Sequence, residues 1–407
     1  MNLSITSETG RLKGVVVHTP GNEVSLVNPE LKDELLFDDI IFLDDARQEH
    51  IHMLEIFEAA MPADGRIFQI TDLFLECLQN GDVRKYFIEL LINALPEDNL
   101  QVIEDALLEL QPKELLQFVI EGATPGIPKF TLHPTPNLLF TRDLAAVVGN
   151  QILLSRPAKK ARLREALLTE MLVMHHPLFA GLKNNLIQTD PQDSIEGGDV
   201  LVVNEKLALI GMSERTSFSA LMTAADKMLD KEFETILAVD IPKQRSSMHL
   251  DTIFTFAGED ECIVFPPSII DRKNNVTALS KRNGAVQSVS MPSLKIALEE
   301  FMEQDVTFIK CGGEKRTNQF REQWTDGANV FALAPGIIVG YGRNTNTFHA
   351  LKEHGYNVVN QYEFIEEFKE KKFDPSGKKI AIHFEGNELC RGRGGARCMT
   401  MPILRET

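Results

Sequence analysis

Apolar residues fall along this chain mainly in short runs closed by glycine, proline or paired polar residues, the pattern of strands joined by tight turns. The run in "GRLKGVVVHTPGNE" ends at a Pro-Gly pair and predicts a strand near the start. "FTRDLAAVVGNQILLSRPA" from Phe140, "EGGDVLVVNEKLALIGMSERT" from Glu196, "MHLDTIFTFAGEDECIVFPP" from Met248 and "TDGANVFALAPGIIVGYGRNT" from Thr325 each predict a hairpin. The hairpins also repeat one another. The segments from Glu196 and Thr325 both run acid, glycine, small residue, Asp or Asn, then strand, turn and a second strand ending at glycine. Asp143, Asp199, Asp251 and Asn329 mark the same place ahead of the four hairpins, and helical or irregular stretches such as "KKARLREALLTEMLVM" follow. With the first strand and the terminal "CMTMPI", the pattern predicts about five similar α/β units closing a ring. A ring turns the same edge of every unit toward one axis, so polar residues far apart in sequence would meet in a central pocket.

One block breaks the alternation. Residues 71–122, "TDLFLECLQNGDVRKYFIELLINALPEDNLQVIEDALLELQPKELLQFVIEG", carry apolar residues at helical spacing, with Asn80-Gly81, Pro96 and Gly122 as stops. The expected organisation is therefore an α/β domain formed by residues 1–70 and 123–407, with a helical subdomain at 71–122 inserted into it. Few polar residues converge in the insert, which reads as packing or interface material.

Composition narrows the possible partners. With 43% hydrophobic and 25% charged residues over 407 positions, the chain can bury a large core and needs no disordered segment. A formal net charge of −17 repels nucleic acid and anionic membrane surfaces and favours cationic small molecules. No apolar run approaches bilayer length and the N-terminus lacks a basic-then-apolar leader, so a cytoplasmic protein is expected. The five cysteines, at 77, 262, 311, 390 and 398, lack paired zinc spacing and read as reduced thiols.

Chemistry concentrates at "CRGRGGARCMTMP", Cys390 to Pro402. A buried cysteine is ordinarily an inert small hydrophobe. Here Arg391, Arg393 and Arg397 bring positive charge that favours thiolate, and the glycines allow close backbone approach. Cys390 shares that neighbourhood, so local charge does not separate it from Cys398; Cys77, Cys262 and Cys311 read as structural. In "SSMHLD", His249 and Asp251 would share one face of an extended strand and enter a pocket together, an acid/base group beside a cation ligand. Glu196 and Asp199 in "SIEGGDV" and Asp143 in "FTRD" are singly explained as turn carboxylates capping their own backbone. A pocket ringed by Asp143, Glu196 and Asp251 beside a thiolate suits a planar guanidinium, whose cationic carbon is also a target for sulfur. The same acids with His249 form a conceivable metal site, which the adjacent arginines disfavour.

In this order, "FTRD", "EGGDV", "MSERT", "MHLDT", "EQWTDGANV" and "RGRGGARCMTMP", with the early "LLFDDI" from Leu35 to Ile40, resemble the motifs of arginine deiminase across essentially the whole chain. The resemblance implies a pentein fold, a fivefold pseudo-symmetric α/β propeller with an inserted helical bundle. It implies hydrolysis of L-arginine to L-citrulline and ammonia, without a cofactor, through an amidino group linked to Cys398. His249 and Glu196 would be the acid/base pair, and Asp143 and Asp251 would hold the guanidinium. Arg215, Asn137 and an arginine of "ARLRE", Arg162 by spacing with Arg164 as the alternative, would take the α-carboxylate. Arg393 resembles the family's mobile arginine near the pocket entrance, and Phe140 and Asp199, from the same motifs, complete the expected substrate contacts. A homo-oligomer, dimer or tetramer, is expected. Cys390 and Arg397 depart from the residues usual at their positions. Another guanidine hydrolase or an amidinotransferase on the same fold, or a non-catalytic arginine-binding protein, are the competing readings.

Overall fold

Each apolar run marked as a strand finds its partner across a turn. In the computed structural model, which describes residues 2–370 and 373–406, Ala145–Val148 pairs antiparallel with Gln151–Leu154 around Gly149 and Asn150. Gly149 takes φ +57° there, a left-handed conformation that glycine adopts without steric cost. The second strand then gains a parallel neighbour, Leu186–Ile187, after the helix Leu163–His175. This order, an antiparallel pair and then a parallel third strand, recurs. Val200–Val202, Leu207–Met212 and Thr235–Asp240 follow it, as do Phe254–Phe256, Glu261–Val264 and Thr307–Lys310. So do Phe331–Ala334, Ile337–Tyr341 and Ile380–Phe384. In the last set, Leu12–Val17 pairs antiparallel with Met401–Arg405 and parallel with Arg66–Gln69, so the two ends of the chain share a sheet. The described residues form five sheets in all, two of them extended at an edge by Val276–Arg282 with Ala285–Met291 and by Asn357–Asn360.

The stretch after Arg66–Gln69 is helical for local reasons. Asn80 ends Ile70–Gln79 and caps Gly81–Ala94, its side-chain oxygen accepting from the Asp82 and Val83 N–H groups. Pro112 and a Gln111/Glu114 capping box start Pro112–Glu121, and Gly122 at φ +82° ends it. Phe74, Phe87 and Phe118 from these helices are buried in one apolar cluster with Leu168, Leu172 and Leu153 of the neighbouring unit. The helices are thus packed into the sheet framework rather than around a core of their own.

Three short 3₁₀ turns, Thr141–Asp143, Gly197–Asp199 and Leu250–Thr252, directly precede hairpins. The last corrects the expected strand through His249 and Asp251. His249 is extended, but the Leu250 N–H donates to Asp199 Oδ1 at 2.8 Å and the chain turns before Asp251.

Beneath these turns Arg397 is fully buried. It donates to Glu8 Oε2 at 3.1 Å, Asp251 Oδ2 at 2.8 Å and the Val200 carbonyl at 2.9 Å, tying both ends of the chain to two middle units. Removing one partner of such a cluster leaves uncompensated buried charge, which costs about 3–5 kcal/mol. Arg397→Met is therefore expected to lower the unfolding free energy toward the lower end of that range, because Arg142 also faces Glu8. A urea titration that found a loss below about 1 kcal/mol would contradict this reading of the cluster.

Candidate active site

Just above that cluster, strand-edge residues of different units close on a cavity of about 20 Å³, room for about one water molecule. Asn137, Phe140, Asp143, Arg162, Arg215, His249, Arg393 and Cys398 line it, together with Leu36, Arg245, Met248 and Gly392. A cavity of about 640 Å³ lies outside it, between the helical block and residues 33–36, and shares only Leu36 with it; no thiol is among its lining residues, and its one His–carboxylate pair, His133 with Glu34 at 3.6 Å, is solvent-exposed.

Cys398 sits in the turn before Met401–Arg405. Its N–H donates to Asn329 Oδ1 at 3.0 Å, and its carbonyl accepts from the Arg142 N–H at 3.1 Å. Sγ lies 3.8 Å and 4.0 Å from the two Asp251 carboxylate oxygens. The turn comes this close because Gly394 has no side chain: a Cβ there would meet the Phe140 ring at 2.3 Å and Cys398 Cβ at 3.0 Å. Gly198 works in the same way, since a Cβ would approach Asp143 Oδ1 and His249 Nδ1 to 2.8 Å.

His249 Nε2 hydrogen-bonds Glu196 Oε2 at 2.9 Å, and Nδ1 is 3.6 Å from Asp143 Oδ1. Nδ1 and Asp143 Oδ1 are both buried without a hydrogen-bond partner. Two unsatisfied buried polar atoms on residues lining one cavity mark where a ligand's polar atoms belong. Arg162 lies alongside, donating to Asp143 Oδ2 at 2.5 Å and Glu165 Oε2 at 2.9 Å, with Glu196 at 3.5 Å, and to the Asn137 and Phe140 carbonyls. Arg215 is less occupied: Nη1 is 3.7 Å from Glu196 Oε1 and its buried Nε has no partner. The Asn137 side chain donates to the Leu35 carbonyl at 2.8 Å, anchoring the segment that carries Leu36.

The electrostatics set the resting protonation. Burial alone would push His249 down, but the Asp143 charge and the Glu196 hydrogen bond outweigh it and lift His249 to about 9. Glu196 is the complement: burial pushes it up, yet the hydrogen bond and charge of His249 hold it well below the usual carboxylate range. Burial raises the Cys398 thiol, and the nearby Asp251, Asp143 and Asp326 raise it further against the opposing Arg397. These directions favour the charged form of His249 and the protonated form of the Cys398 sulfur. Asp143, Glu196 and His249 are close enough together to be considered for a metal ion. A protonated imidazole offers no lone pair, however, and the Arg162 guanidinium already supplies positive charge between the two acids.

The expected residues fall at three depths. Asn137, Phe140, Asp143, Arg162, Arg215, His249, Arg393 and Cys398 line the cavity, whereas Glu196 stands behind His249 and Asp251 beside the sulfur. Asp199 does not reach it: Ser213 Oγ and Thr216 Oγ1 donate to Oδ2 at 2.6 Å each, and the Leu250 N–H takes Oδ1. Its carboxylate ties turns together instead of meeting a ligand. Of the two "ARLRE" arginines, Arg162 faces the cavity and Arg164 turns to the Val119 and His133 carbonyls. Cys390 also faces elsewhere, its sulfur 2.6 Å from Arg343 Nη1, so geometry separates the two cysteines that local charge left together. The expected ring of positive charge around Cys398 is corrected as well. Arg391 leaves for Asp39 and the Ile40 carbonyl, and Arg397 points down to Glu8 and Asp251. Asn329 and Arg245 were missed as site residues. Asn329 holds the backbones of both Cys398 and Asp251, and its repeat position was its only signal. Arg245 lines the cavity while pairing with Asp38 at 3.0 Å and the Leu36 carbonyl at 2.5 Å; nothing in "KQRSSMHLD" sets it apart as a cavity residue.

Comparison with known proteins places this geometry. The arginine deiminase family profile matches residues 122–405. Among curated relatives, the arginine deiminase of Limosilactobacillus fermentum is 33% identical over 430 residues, spanning 99% of this chain and 98% of that protein. That of Clostridium perfringens is 34% identical over 434 residues with the same coverage. Of solved structures, SxtG, an amidinotransferase from Microseira wollei in the saxitoxin biosynthetic pathway, superposes with a TM-score of 0.54 at 14% identity, over 100% of this chain and 98% of that one. DDAH from Pseudomonas aeruginosa complexed with citrulline gives 0.50 at 11% identity, over 97% and 100%. At such identities these two structures speak for the fold alone, the mixed α/β pentein fold.

Proposed function

The chain belongs to the arginine deiminase family, whose reaction is the hydrolysis of L-arginine to L-citrulline and ammonia, and from that premise we propose how its own residues carry the reaction. The observation that carries the reading is the convergence of the Cys398 thiol, His249 and the unsatisfied Asp143 oxygen on one small cavity. The substrate guanidinium donates to Asp143 and Asp251, and its α-carboxylate is taken by Arg215, Asn137 and Arg162. Its positive charge beside the sulfur offsets the carboxylates that keep the thiol protonated, so the thiol proton is lost, through Asp251 to solvent, as the substrate enters.

The thiolate adds to the guanidinium carbon, forming the C–S bond and a neutral tetrahedral adduct. His249 gives its proton to one amino group, which departs as ammonia and leaves a cationic amidino-thioether. Neutral His249 then takes a proton from water as the oxygen adds to the same carbon. Collapse of this second adduct breaks the C–S bond and frees the thiolate, and the O-protonated urea left behind gives its hydroxyl proton to water as citrulline is released. Glu196 holds His249 in orientation and in its charged form. Every step uses groups of the chain itself and water.

An assay for citrulline and ammonia, run with L-arginine, agmatine and methylated arginines, tests the reading. Agmatine lacks the α-carboxylate, so its kcat/KM is expected to be at least about 100-fold lower than that of L-arginine. Comparable values would remove Arg215, Asn137 and Arg162 from substrate binding. A cytoplasmic homodimer or tetramer is the working form in this reading; the five cysteines, all unpaired, suit a reducing compartment.

A further inference from the structure

One buried carboxylate next to the site has no part in the reaction. Glu165 is fully buried, stands in the first turn of the helix Leu163–His175 and is not among the residues lining the cavity. Its Oε2 accepts from Arg162 Nε at 2.9 Å, and its Oε1 is buried without a hydrogen-bond partner. A carboxylate only half satisfied in the interior is costly, and the helix dipole acting on an acid in the first turn offsets a small part of that. The pairing is built locally. Arg162 is the N-cap residue of the same helix, so one rigid element carries both members of the ion pair.

Arg162 has no nitrogen to spare. Nε is held by Glu165, Nη1 donates to Asp143 Oδ2 at 2.5 Å with Glu196 Oε2 at 3.5 Å, and Nη2 donates to the Asn137 and Phe140 carbonyls at 3.1 and 3.2 Å. A substrate that brings a guanidinium to Asp143 and a carboxylate to Arg162 breaks the bond between the two and returns to each the opposite charge it gave up. Of the three carboxylates beside Arg162, Asp143 then belongs to the substrate and Glu196 to His249. Glu165 is the one that neither the substrate nor the acid/base group claims.

We propose that Glu165 is the anchor that aims Arg162 at the substrate α-carboxylate: Oε2 keeps Nε while Nη1 exchanges Asp143 for the carboxylate, and Oε1 is the open acceptor for an N–H that the exchange frees. Glu165 is then a positioning residue acting through Arg162. The inference rests on the deiminase reading above, in which Arg162 meets the carboxylate, and adds to it the group that holds Arg162 there.

Glu165→Gln in the full-length enzyme keeps the size and an oxygen for Arg162 Nε and removes only the charge, so the fold should hold; a urea titration against wild type checks that. The variant is expected to raise KM for L-arginine about tenfold with kcat within about twofold, the size of a weakened charge-assisted hydrogen bond. Agmatine has no carboxylate for Arg162 to take, so its Ki against L-arginine turnover should stay within about twofold of wild type. That contrast separates aiming from a general structural role, which would weaken both ligands. If Glu165→Gln does not fold, Glu165→Asp, one methylene short of Nε, carries the same test with a KM rise of about threefold. An unchanged KM for L-arginine in a folded variant, a fall in kcat without a rise in KM, or an equal loss for agmatine would each overturn the proposal. A wild type that does not turn over L-arginine, or that holds agmatine as tightly as L-arginine, would instead overturn the deiminase reading or the place of Arg162 in it, and this proposal with it.

Discussion

Cys398→Ala is expected to bind L-arginine and to form no citrulline above background, a loss of at least about 10⁴-fold. The reaction needs a nucleophile at the guanidinium carbon, and among the described residues that line the cavity Cys398 alone offers one free of resonance or charge opposition. Cys398→Ser should do no better. Burial and the same carboxylates that raise the thiol hold a hydroxyl, intrinsically far less acidic, in its neutral form. The fold should tolerate both changes, since the anchors of this turn are backbone groups: the residue 398 N–H to Asn329 Oδ1 and its carbonyl to the Arg142 N–H. Mass spectrometry of acid-quenched enzyme gives the stronger contrast, because wild type should carry an amidino group on the Cys398 peptide and neither variant should. Cys390→Ala serves as the control: that sulfur faces Arg343, away from the cavity, and turnover should stay near wild type. Retained citrulline formation in Cys398→Ala would end the covalent reading.

That the sulfur rests protonated was not legible in "CRGRGGARCMTMP". The sequence places three arginines within a few residues of Cys398, but net direction is decided by backbone geometry that composition does not encode. A 3₁₀ turn over Leu389–Gly392 and a left-handed Arg393 send the three guanidiniums to Asp39, Trp324 and the Glu8/Asp251 pair. What surrounds the sulfur instead are the acids of other units. The repeats, by contrast, were legible, because strand spacing and turn residues are local and each hairpin states its own period. Asp143 and Asp251 could be picked out as inward-facing on that basis. Asp199, in the same repeat position, could not be told from them: its two hydroxyl donors, Ser213 and Thr216, lie a hairpin away. The His249–Asp251 relation was inferred from strand alternation and reached the right neighbourhood by another route, a turn drawn in by the Asp199 carboxylate. Long-range latches such as Arg245 on Asp38 join segments about 200 residues apart and leave no local trace.

Glu196→Gln is expected to lower kcat by about 10²–10⁴-fold and to move the alkaline limb of the kcat/KM profile to lower pH. His249 must be protonated to give ammonia its proton, so the active form is present below its pKa and is lost as pH rises through about 9. That elevation exists because the Asp143 charge and the Glu196 hydrogen bond outweigh burial, which pulls the other way. Glutamine keeps the volume and an oxygen for the Ala158 N–H, but it removes the negative charge 2.9 Å from Nε2. Burial then weighs more heavily, the imidazolium is less favoured, and the limb shifts acid-ward. Arg162 and Arg215, both within 4 Å of the Glu196 carboxylate, lose a counter-charge and add to the shift in the same direction. A role for Glu196 that was only structural would reduce the amount of folded enzyme and leave the limb in place, so the profile separates the two. A limb unmoved in a folded Glu196→Gln enzyme would mean that His249 is not the group whose proton the reaction uses.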